Sequence, residues 1–475
     1  MAAVTDVPVG TLSYQRFKDV LAPEVWERVS KVADQSAETF EGRRIWNVNS
    51  TARGGGVAEM LVSLLAYAKG AGVDARWAVI QGNAPFFGLT KRIHNRLHGA
   101  EGDGGALGEA EHEIYRDALA PNIEEFSKLV EPKDVVIVHD PQPAGLIGPL
   151  KEMGVPVIWR CHVGIDLAND RSREAWNFLI PYVSPADAYV FSREAFAWEG
   201  LDESKIKLIA PSIDAFAAKN QELEPEIVAA ILRVAGLGDT GDDEGAAPEF
   251  QRFDGKQARV TSRAQAFEGR PLRPDDPVVL QVSRWDRLKD PLGVIDGFLE
   301  HVLPQTDAHL VYAGPAVEAV SDDPEGAEVL KEAQDRFESL SPEEKERVHL
   351  VALPMDDLEE NAAIVNALQR RATVVVQKSL AEGFGLTVAE AMWKGRPVVA
   401  SRIGGIQDQI EDGKSGVLLD DPTDLAAYGA AVRGLIEDPS KAEAIGREAQ
   451  SRVREDFLGV RSLLQYLELI QPLLK

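Results

Sequence analysis

Thr373-Val-Val-Val-Gln377, followed five residues later by Glu382-Gly-Phe-Gly-Leu-Thr-Val-Ala-Glu390, is the stretch whose reading decides the fold. The apolar run reads as a strand buried on both faces, as in a parallel sheet. Gly383 and Gly385 free the backbone for tight turning and for close approach of a ligand. Thr387 is placed to cap a helix through Ala391, Met392 and Trp393, which Gly395 and Pro397 end. A strand, a glycine loop and a helix N-terminus, with Phe384 and Leu386 inside the loop, make an anion site from unpaired amides and the helix dipole. Two carboxylates at its ends are odd choices for phosphate alone. They make sense if Glu382 and Glu390 hold sugar hydroxyls, one set on a hexose and one on a ribose. A lone Glu pair on a surface helix would read as solvated. The glycines between them, and the basic residues upstream, favour binding.

Outward from this unit the same rhythm runs in both directions. Strand candidates on the N-terminal side are Ile45–Asn49, Arg76–Ile80, Asp134–His139, Pro156–Trp159, Ala188–Phe191 and Ile206–Ile209, separated by helical segments. The second series is Val278–Val282, His309–Ala313, Val348–Val351, Thr373–Val376, Pro397–Ala400 and Val417–Leu419. Alternation of this kind implies parallel α/β sheets, and 475 residues exceed one ordinary core. The expected architecture is α/β, with two Rossmann-like, doubly wound domains facing an interdomain cleft. The expected boundaries are an N-terminal helical extension (1–40), an N-terminal Rossmann-like domain (41–235), a linker or insertion (236–276), a C-terminal Rossmann-like domain (277–455) and a C-terminal helix (456–475). Leu463, Leu464, Leu467, Ile470 and Leu473 form an apolar stripe at helical spacing, which reads as core-facing on one domain or bridging both.

The charge balance bounds the partners. A net charge of −26 and a pI near 4.8 argue against nucleic acid and anionic membranes. An anionic substrate would need a locally basic site. One cysteine, Cys161, allows no intrachain disulfide and fits a reducing compartment. No signal-peptide pattern and no run of about 20 apolar residues is visible, so a cytoplasmic protein is expected.

Basic residues follow the strand Val278–Val282 at once, as Arg284-Trp-Asp-Arg-Leu-Lys289-Asp-Pro291. Arg offers a planar fork for phosphate oxygens and Lys a compact charge. A diphosphate leaving group needs such neutralisation as charge builds on it. Two basic residues in a loop can also be merely solvated, which is how Arg287 reads; Arg284 and Lys289 gain weight if the sheet order puts them beside Glu382. On the N-terminal side, Gly54-Gly55-Gly56 precede a helix, with neither a dinucleotide fingerprint nor a P-loop lysine. Asp140 and Gln142 follow a strand ending at His139 and can bond sugar hydroxyls. Arg160-Cys161-His162 ends the next strand; His162 reads equally as structural or functional, and Cys161 as a buried small residue. The histidines show no ligand spacing, so no metal is expected.

This pattern resembles the retaining GT-B glycosyltransferases of family 4, whose Glu-x7-Glu is matched by Glu382 and Glu390 and whose donor-binding Arg and Lys are matched by Arg284 and Lys289. Within that family, the run Ile45 to Glu59, Val138-His-Asp-Pro-Gln142, Trp159-Arg-Cys-His162 and Gln281 to Asp290 look like the trehalose glycosyltransferring synthases. The resemblance spans about residues 40 to 455, apart from the segment near 236–276. It implies a nucleoside-diphosphate glucose donor, a glucose acceptor, α,α-trehalose as product and no metal cofactor. Trehalose phosphorylases share the motifs, so phosphorolysis, or a different sugar acceptor, are the alternatives. Implied donor ligands are Gly55, Gly56, Arg284, Lys289, Glu382, Gly383, Phe384, Gly385, Leu386, Thr387 and Glu390, with Glu390 on the ribose. Implied acceptor ligands are Asp140, Gln142, Arg160 and His162; His162 could instead contact the donor hexose. Glu382, Arg284, Lys289 and His162 are the implied catalytic set. A front-face mechanism is implied, with domain closure excluding water, and chain length and resemblance admit a homodimer.

Overall fold

The computed structural model describes residues 3–52, 56–238, 246–317 and 324–474. The chain forms two compact units, Met1–Ser212 joined by Phe457–Lys475, and Ile213–Asp456. In the first unit, strands β1 (Val4–Val7), β2 (Arg44–Asn49), β3 (Asp74–Ile80), β4 (Val135–His139), β5 (Val157–Cys161), β6 (Ala188–Phe191) and β7 (Ile206–Leu208) form one sheet. Their order is β1-β3-β2-β4-β5-β6-β7. All pairings are parallel except β1 with β3. Every residue of β4, β5 and β6 is buried, because helices cover both faces of a parallel sheet. Val136, Val138, Val157 and Trp159 share one face with Phe178 and Trp198; each such side chain contributes about 1.5–3 kcal/mol by leaving water.

The second unit, after the helix Pro225–Ala235, carries a small antiparallel hairpin, β8 (Glu249–Gln251) and β9 (Gln257–Arg259). Its sheet contains β10 (Gln265–Phe267), β11 (Val278–Val282), β12 (His309–Pro315), β13 (Val348–Leu353), β14 (Val374–Gln377), β15 (Val398–Ser401) and β16 (Val417–Leu419). The order is β10-β13-β12-β11-β14-β15-β16, parallel except for β10 against β13. From β11 the chain winds outward one way through β12 and β13, then returns to lay β14, β15 and β16 on the other side. The direction therefore reverses between β11 and β14. In the first unit it reverses between β2 and β4. Loops leaving the C-terminal ends of the two strands flanking such a point splay to opposite faces and leave a crevice for a ligand.

Several expectations change here. The units divide at Ser212/Ile213 rather than after residue 235. The helix Pro225–Ala235, expected in the first domain, packs on the helix Leu358–Arg371 of the second. The N-terminal extension includes β1, which extends the first sheet by pairing with β3. The expected linker holds β8 and β9 as well as β10, which edges the second sheet. The C-terminal helix Gly459–Ile470 belongs to the first unit, burying Leu463, Leu464, Tyr466, Leu467 and Ile470 against the helices Gly56–Gly70 and Pro23–Thr39. Leu473 lies beyond it and is half-buried.

Candidate active site

The reversal point of the second unit carries the two motifs singled out in the sequence. Lys289 ends a short turn (Arg287–Lys289) after β11, and Glu382 lies in the loop after β14. Lys289 Nζ meets Glu382 Oε2 at 2.6 Å, and each side chain keeps 14% of its exposure. Backbone bonds set this meeting. Leu380 N donates to Leu288 O at 2.8 Å, tying the two loops directly. Gln281, wholly buried in β11, donates from Nε2 to Lys289 O at 2.8 Å and accepts from Lys378 N at 3.1 Å. One amide thus aligns both loops, and it is the polar residue of an otherwise apolar strand.

Asp290, next to Lys289, has φ of 49°; with Asp140 (φ 66°) it is one of two non-glycine residues at positive φ among the described residues. That conformation costs about 1–2 kcal/mol in an L-residue and survives only where neighbours impose it. Its carboxylate caps the helix Pro291–His301 by accepting from Gly293 N at 3.2 Å, and it pairs with the buried ammonium of Lys378. The strain therefore sits next to Lys289 in the second unit and at Asp140 itself in the first.

The glycine loop is shaped from a third side. A Cβ on Gly404, in the loop after β15, would lie 1.9 Å from Glu382 O, so no other residue fits there without moving that backbone. Gly405 N donates to Gly383 O at 2.9 Å, and Gln409 Nε2 to Phe384 O at 2.5 Å. Gly385, at φ 80°, takes the N-cap position of the helix Leu386–Trp393. Thr387 is consequently inside the helix and not its cap; its hydroxyl donates to Gln377 Oε1 at 2.9 Å. Phe384 is buried and Leu386 half-buried. Arg284 is 59% exposed and contacts Asp286 at 3.1 Å, so it stands where an anion could reach it. Glu390 is 4% exposed, and its Oε2 has no hydrogen-bond partner among the described residues. Burying a carboxylate oxygen without a donor is costly, so this oxygen is left able to accept a hydrogen bond. Burial drives the nearby Lys394 ammonium down to about 7, against the pull of Glu390.

In the first unit, Asp140 follows β4 in the left-handed conformation. Its N–H donates to Arg160 O at 2.7 Å, Trp159 Nε1 donates to its carbonyl at 3.2 Å, and its Oδ1 accepts from His162 N at 2.8 Å. Burial raises its carboxyl to about 6, opposed by the His162 N–H and the Arg160 charge. His162 joins a buried polar relay. Arg160 can only donate, so its Nε (3.4 Å) makes His162 Nδ1 the acceptor. His162 Nε2–H then donates to His139 Nδ1 at 3.1 Å, and His139 Nε2–H to Asn47 Oδ1 at 3.0 Å. Burial holds both rings neutral, His139 down to about 3. Both ring nitrogens of His162 are thus occupied by protein, and a sugar contact through either would break the relay. Arg160 is buried, bonds Ser192 Oγ at 3.2 Å, and leaves Nη1 without a hydrogen-bond partner among the described residues. Gln142 is half-buried at the same loop. Cys161 is buried and its thiol is pushed up by burial, as befits a packing residue. Gly56 opens the helix Gly56–Gly70, whereas Gly55 lies outside the described residues.

The structure adds Gln281, Lys378, Asp290, Gly404 and Gln409 to the site. A polar residue within an apolar strand, and a glycine pair after β15, were the available signals.

Comparison with known proteins identifies the family. Residues 47–198 match the family model described as trehalose synthase, N-terminal domain, and residues 262–452 match that of glycosyl transferases group 1. A trehalose synthase of Pyrococcus horikoshii is 33% identical over 479 residues, covering 100% of this chain and 99% of that protein. The chain belongs to the trehalose synthase family. Another family member, from Rubrobacter xylanophilus, is 34% identical over 461 residues, 96% of each chain. A trehalose phosphorylase of Grifola frondosa is 25% identical over 93% of this chain but only 58% of that protein. Solved structures share the fold: sucrose-phosphate synthase of Thermosynechococcus elongatus (TM-score 0.62, 18% identity, 91% of this chain and 99% of that one) and a UDP-forming α,α-trehalose-phosphate synthase of Burkholderia vietnamiensis (0.64, 15%, 90% and 98%). The family member described here is a trehalose-related hexosyltransferase with two Rossmann-like units of the GT-B type. Among its described residues, no helix is long and apolar enough to cross a membrane.

Proposed function

We propose that the protein is a retaining glucosyltransferase that moves glucose from a nucleoside-diphosphate glucose to glucose, forming α,α-trehalose. The observation that carries this reading is the Lys289–Glu382 pair at 2.6 Å, with the buried, unpartnered Glu390 oxygen on the following helix. Glu382 and the loop amides after it suit hexose hydroxyls. Arg284 and Lys289 suit the diphosphate, and Glu390 the ribose. When the donor enters, Lys289 turns part of its charge from Glu382 to the phosphates.

In the reaction the bond between glucose C1 and the diphosphate oxygen breaks, and the electron pair leaves with the diphosphate. Arg284 and Lys289 stabilise that developing charge. The acceptor hydroxyl bonds to C1 on the same face and gives its proton to the departing phosphate oxygen. Orientation and charge stabilisation carry such a step, without a strong base. Asp140 and Gln142 orient the acceptor. His162 acts on Asp140 through its backbone N–H, and Arg160 holds His162, so these two position the acceptor carboxylate.

The relatives named trehalose phosphorylases support a second reading, in which inorganic phosphate splits trehalose. One experiment separates them. The protein is incubated with ADP-, UDP- and GDP-glucose against a panel of sugars, and the product's anomeric configuration is read by NMR. Parallel tubes hold trehalose with phosphate and no nucleotide. α,α-Trehalose from a sugar nucleotide, undiminished by EDTA, supports the proposal. Glucose 1-phosphate from trehalose and phosphate, with no transfer from any sugar nucleotide, overturns it.

A further inference from the structure

The segment Asp214–Gln221 runs along the helix that carries Glu390. Asn220 accepts from Trp393 Nε1 through its carbonyl and from Lys394 Nζ through Oδ1, both at 3.0 Å. Its own amide donates to Asp214 O at 2.9 Å. Asn366 Nδ2 donates to the carbonyls of Ala218 and Gln221 at 3.0 and 2.9 Å. Lys219 is therefore fixed on both sides along the chain. Its Nζ stands 3.7 Å from Glu390 Oε1, while Glu390 Oε2 is the buried oxygen with no hydrogen-bond partner among the described residues.

A separation of 3.7 Å is a charge contact, too long for a hydrogen bond. A hydroxyl oxygen about 2.8 Å from each atom closes a triangle over that gap. It accepts from the ammonium and donates to the carboxylate. A second hydroxyl on the neighbouring carbon can donate to Oε2. A phosphate oxygen cannot donate to Glu390, and an ammonium cannot accept from Lys219. A vicinal diol meets both demands and leaves neither carboxylate oxygen unpaired.

We propose that Lys219 and Glu390 together form a clamp for a vicinal diol, and that Lys219 makes nucleotide binding depend on an intact ribose. This rests on the reading of Glu390 as the ribose ligand. Lys219 is then a specificity-determining residue that touches the donor. It comes from the segment entering the second unit, far in sequence from the other donor ligands.

The test is calorimetric titration of the full chain with ADP, UDP and GDP, and with the 2′-deoxy and 3′-deoxy forms of whichever binds. In the wild type, removing the bridging hydroxyl should weaken binding at least about tenfold, because hydrogen bonds to charged groups are lost. Lys219→Met should weaken the ribonucleotide about tenfold or more. It should leave the deoxynucleotide lacking that hydroxyl unchanged within about threefold, while Lys219→Arg keeps part of the discrimination. Equal wild-type affinity for ribo- and deoxynucleotides overturns the clamp alone, and needs no variant. Equal losses for both nucleotides in Lys219→Met also overturn it, since Lys219 would then serve only the phosphates. If the wild type binds none of the three diphosphates, the reading of Glu390 falls and the clamp falls with it.

Discussion

Replacing Lys378 by Met tests whether the strained turn at Asp290 is imposed by its ion partner. The Lys378 side chain is 1% exposed and that of Asp290 19%. Met keeps length and apolar contact but removes the ammonium. The Asp290 carboxylate then keeps its bond from the Gly293 amide at 3.2 Å but loses its counter-charge. Breaking one side of a buried pair costs about 3–5 kcal/mol, and the residual exposure of Asp290 places this case near 3 kcal/mol. The second unit runs from Ile213 to Asp456. At about 2–4 °C per kcal/mol for a unit of this size, its melting point should fall by about 6–12 °C. Adding Asp290→Gly should restore most of that loss. Glycine accepts φ of 49° freely and carries no stranded charge. Relief of about 1–2 kcal/mol of strain outweighs the weaker glycine cap, which costs only about a few tenths of a kcal/mol. Thermal unfolding by circular dichroism at pH 7 reads all three proteins. A Lys378→Met protein melting within about 2 °C of wild type, or one not rescued by Asp290→Gly, would refute the argument.

Other outcomes are expected on the same reasoning. Lys289→Met should lower turnover by about 10²–10³-fold, as loss of a transition-state charge partner does; nucleotide release in a coupled assay measures it, and a loss under tenfold contradicts the assigned role. Gly404→Ala should destabilise by about 1–3 kcal/mol and reduce transfer, because its Cβ would meet Glu382 O at 1.9 Å. Gly413→Ala is the control: φ is also positive, at 74°, but nothing lies within 4 Å, so equal behaviour of the two variants would remove the steric argument. Stability should decline on acidification through His309, which burial drives down to about 4 with Asp276 pulling the other way and His349, Arg270 and Arg347 adding to the depression. A folded value below the unfolded one means that the unfolded chain binds more protons, so stability is complete above about pH 6.5 and is lost toward pH 4. Urea midpoints from pH 7.5 to 5 read this, and a flat profile that His309→Gln leaves unchanged counts against it.

Strands such as Val278–Val282 and Val374–Gln377 were legible because both faces are buried, which leaves uninterrupted apolar runs. β1 and β10 were not. Each lies at the edge of its sheet, takes its place from one antiparallel neighbour, and buries little of its own surface. The unit boundary was misplaced because the helix Pro225–Ala235 has an apolar face that would suit either unit. Asn366, gripping the carbonyls of Ala218 and Gln221, shows which unit this segment joins. Glu382, Glu390, Arg284 and Lys289 could be read as charged residues at strand ends. Their supports could not, since Gln281 and Lys378 act through the register of β11 against β14. Thr387 was misread because Gly385 ends the loop two residues earlier at positive φ.

The return of residues 457–475 to the first unit has a bearing on biosynthesis. Leu463, Tyr466, Leu467 and Ile470 line one small apolar cavity with Ile45, Leu64 and Leu65. Until that tail leaves the ribosome, the half made earliest has a greasy flank with nothing over it. The half made later is one unbroken stretch, and can settle sooner. The order of synthesis and the order of completion are thus opposite, and a fragment stopped at residue 212 would keep that flank bare.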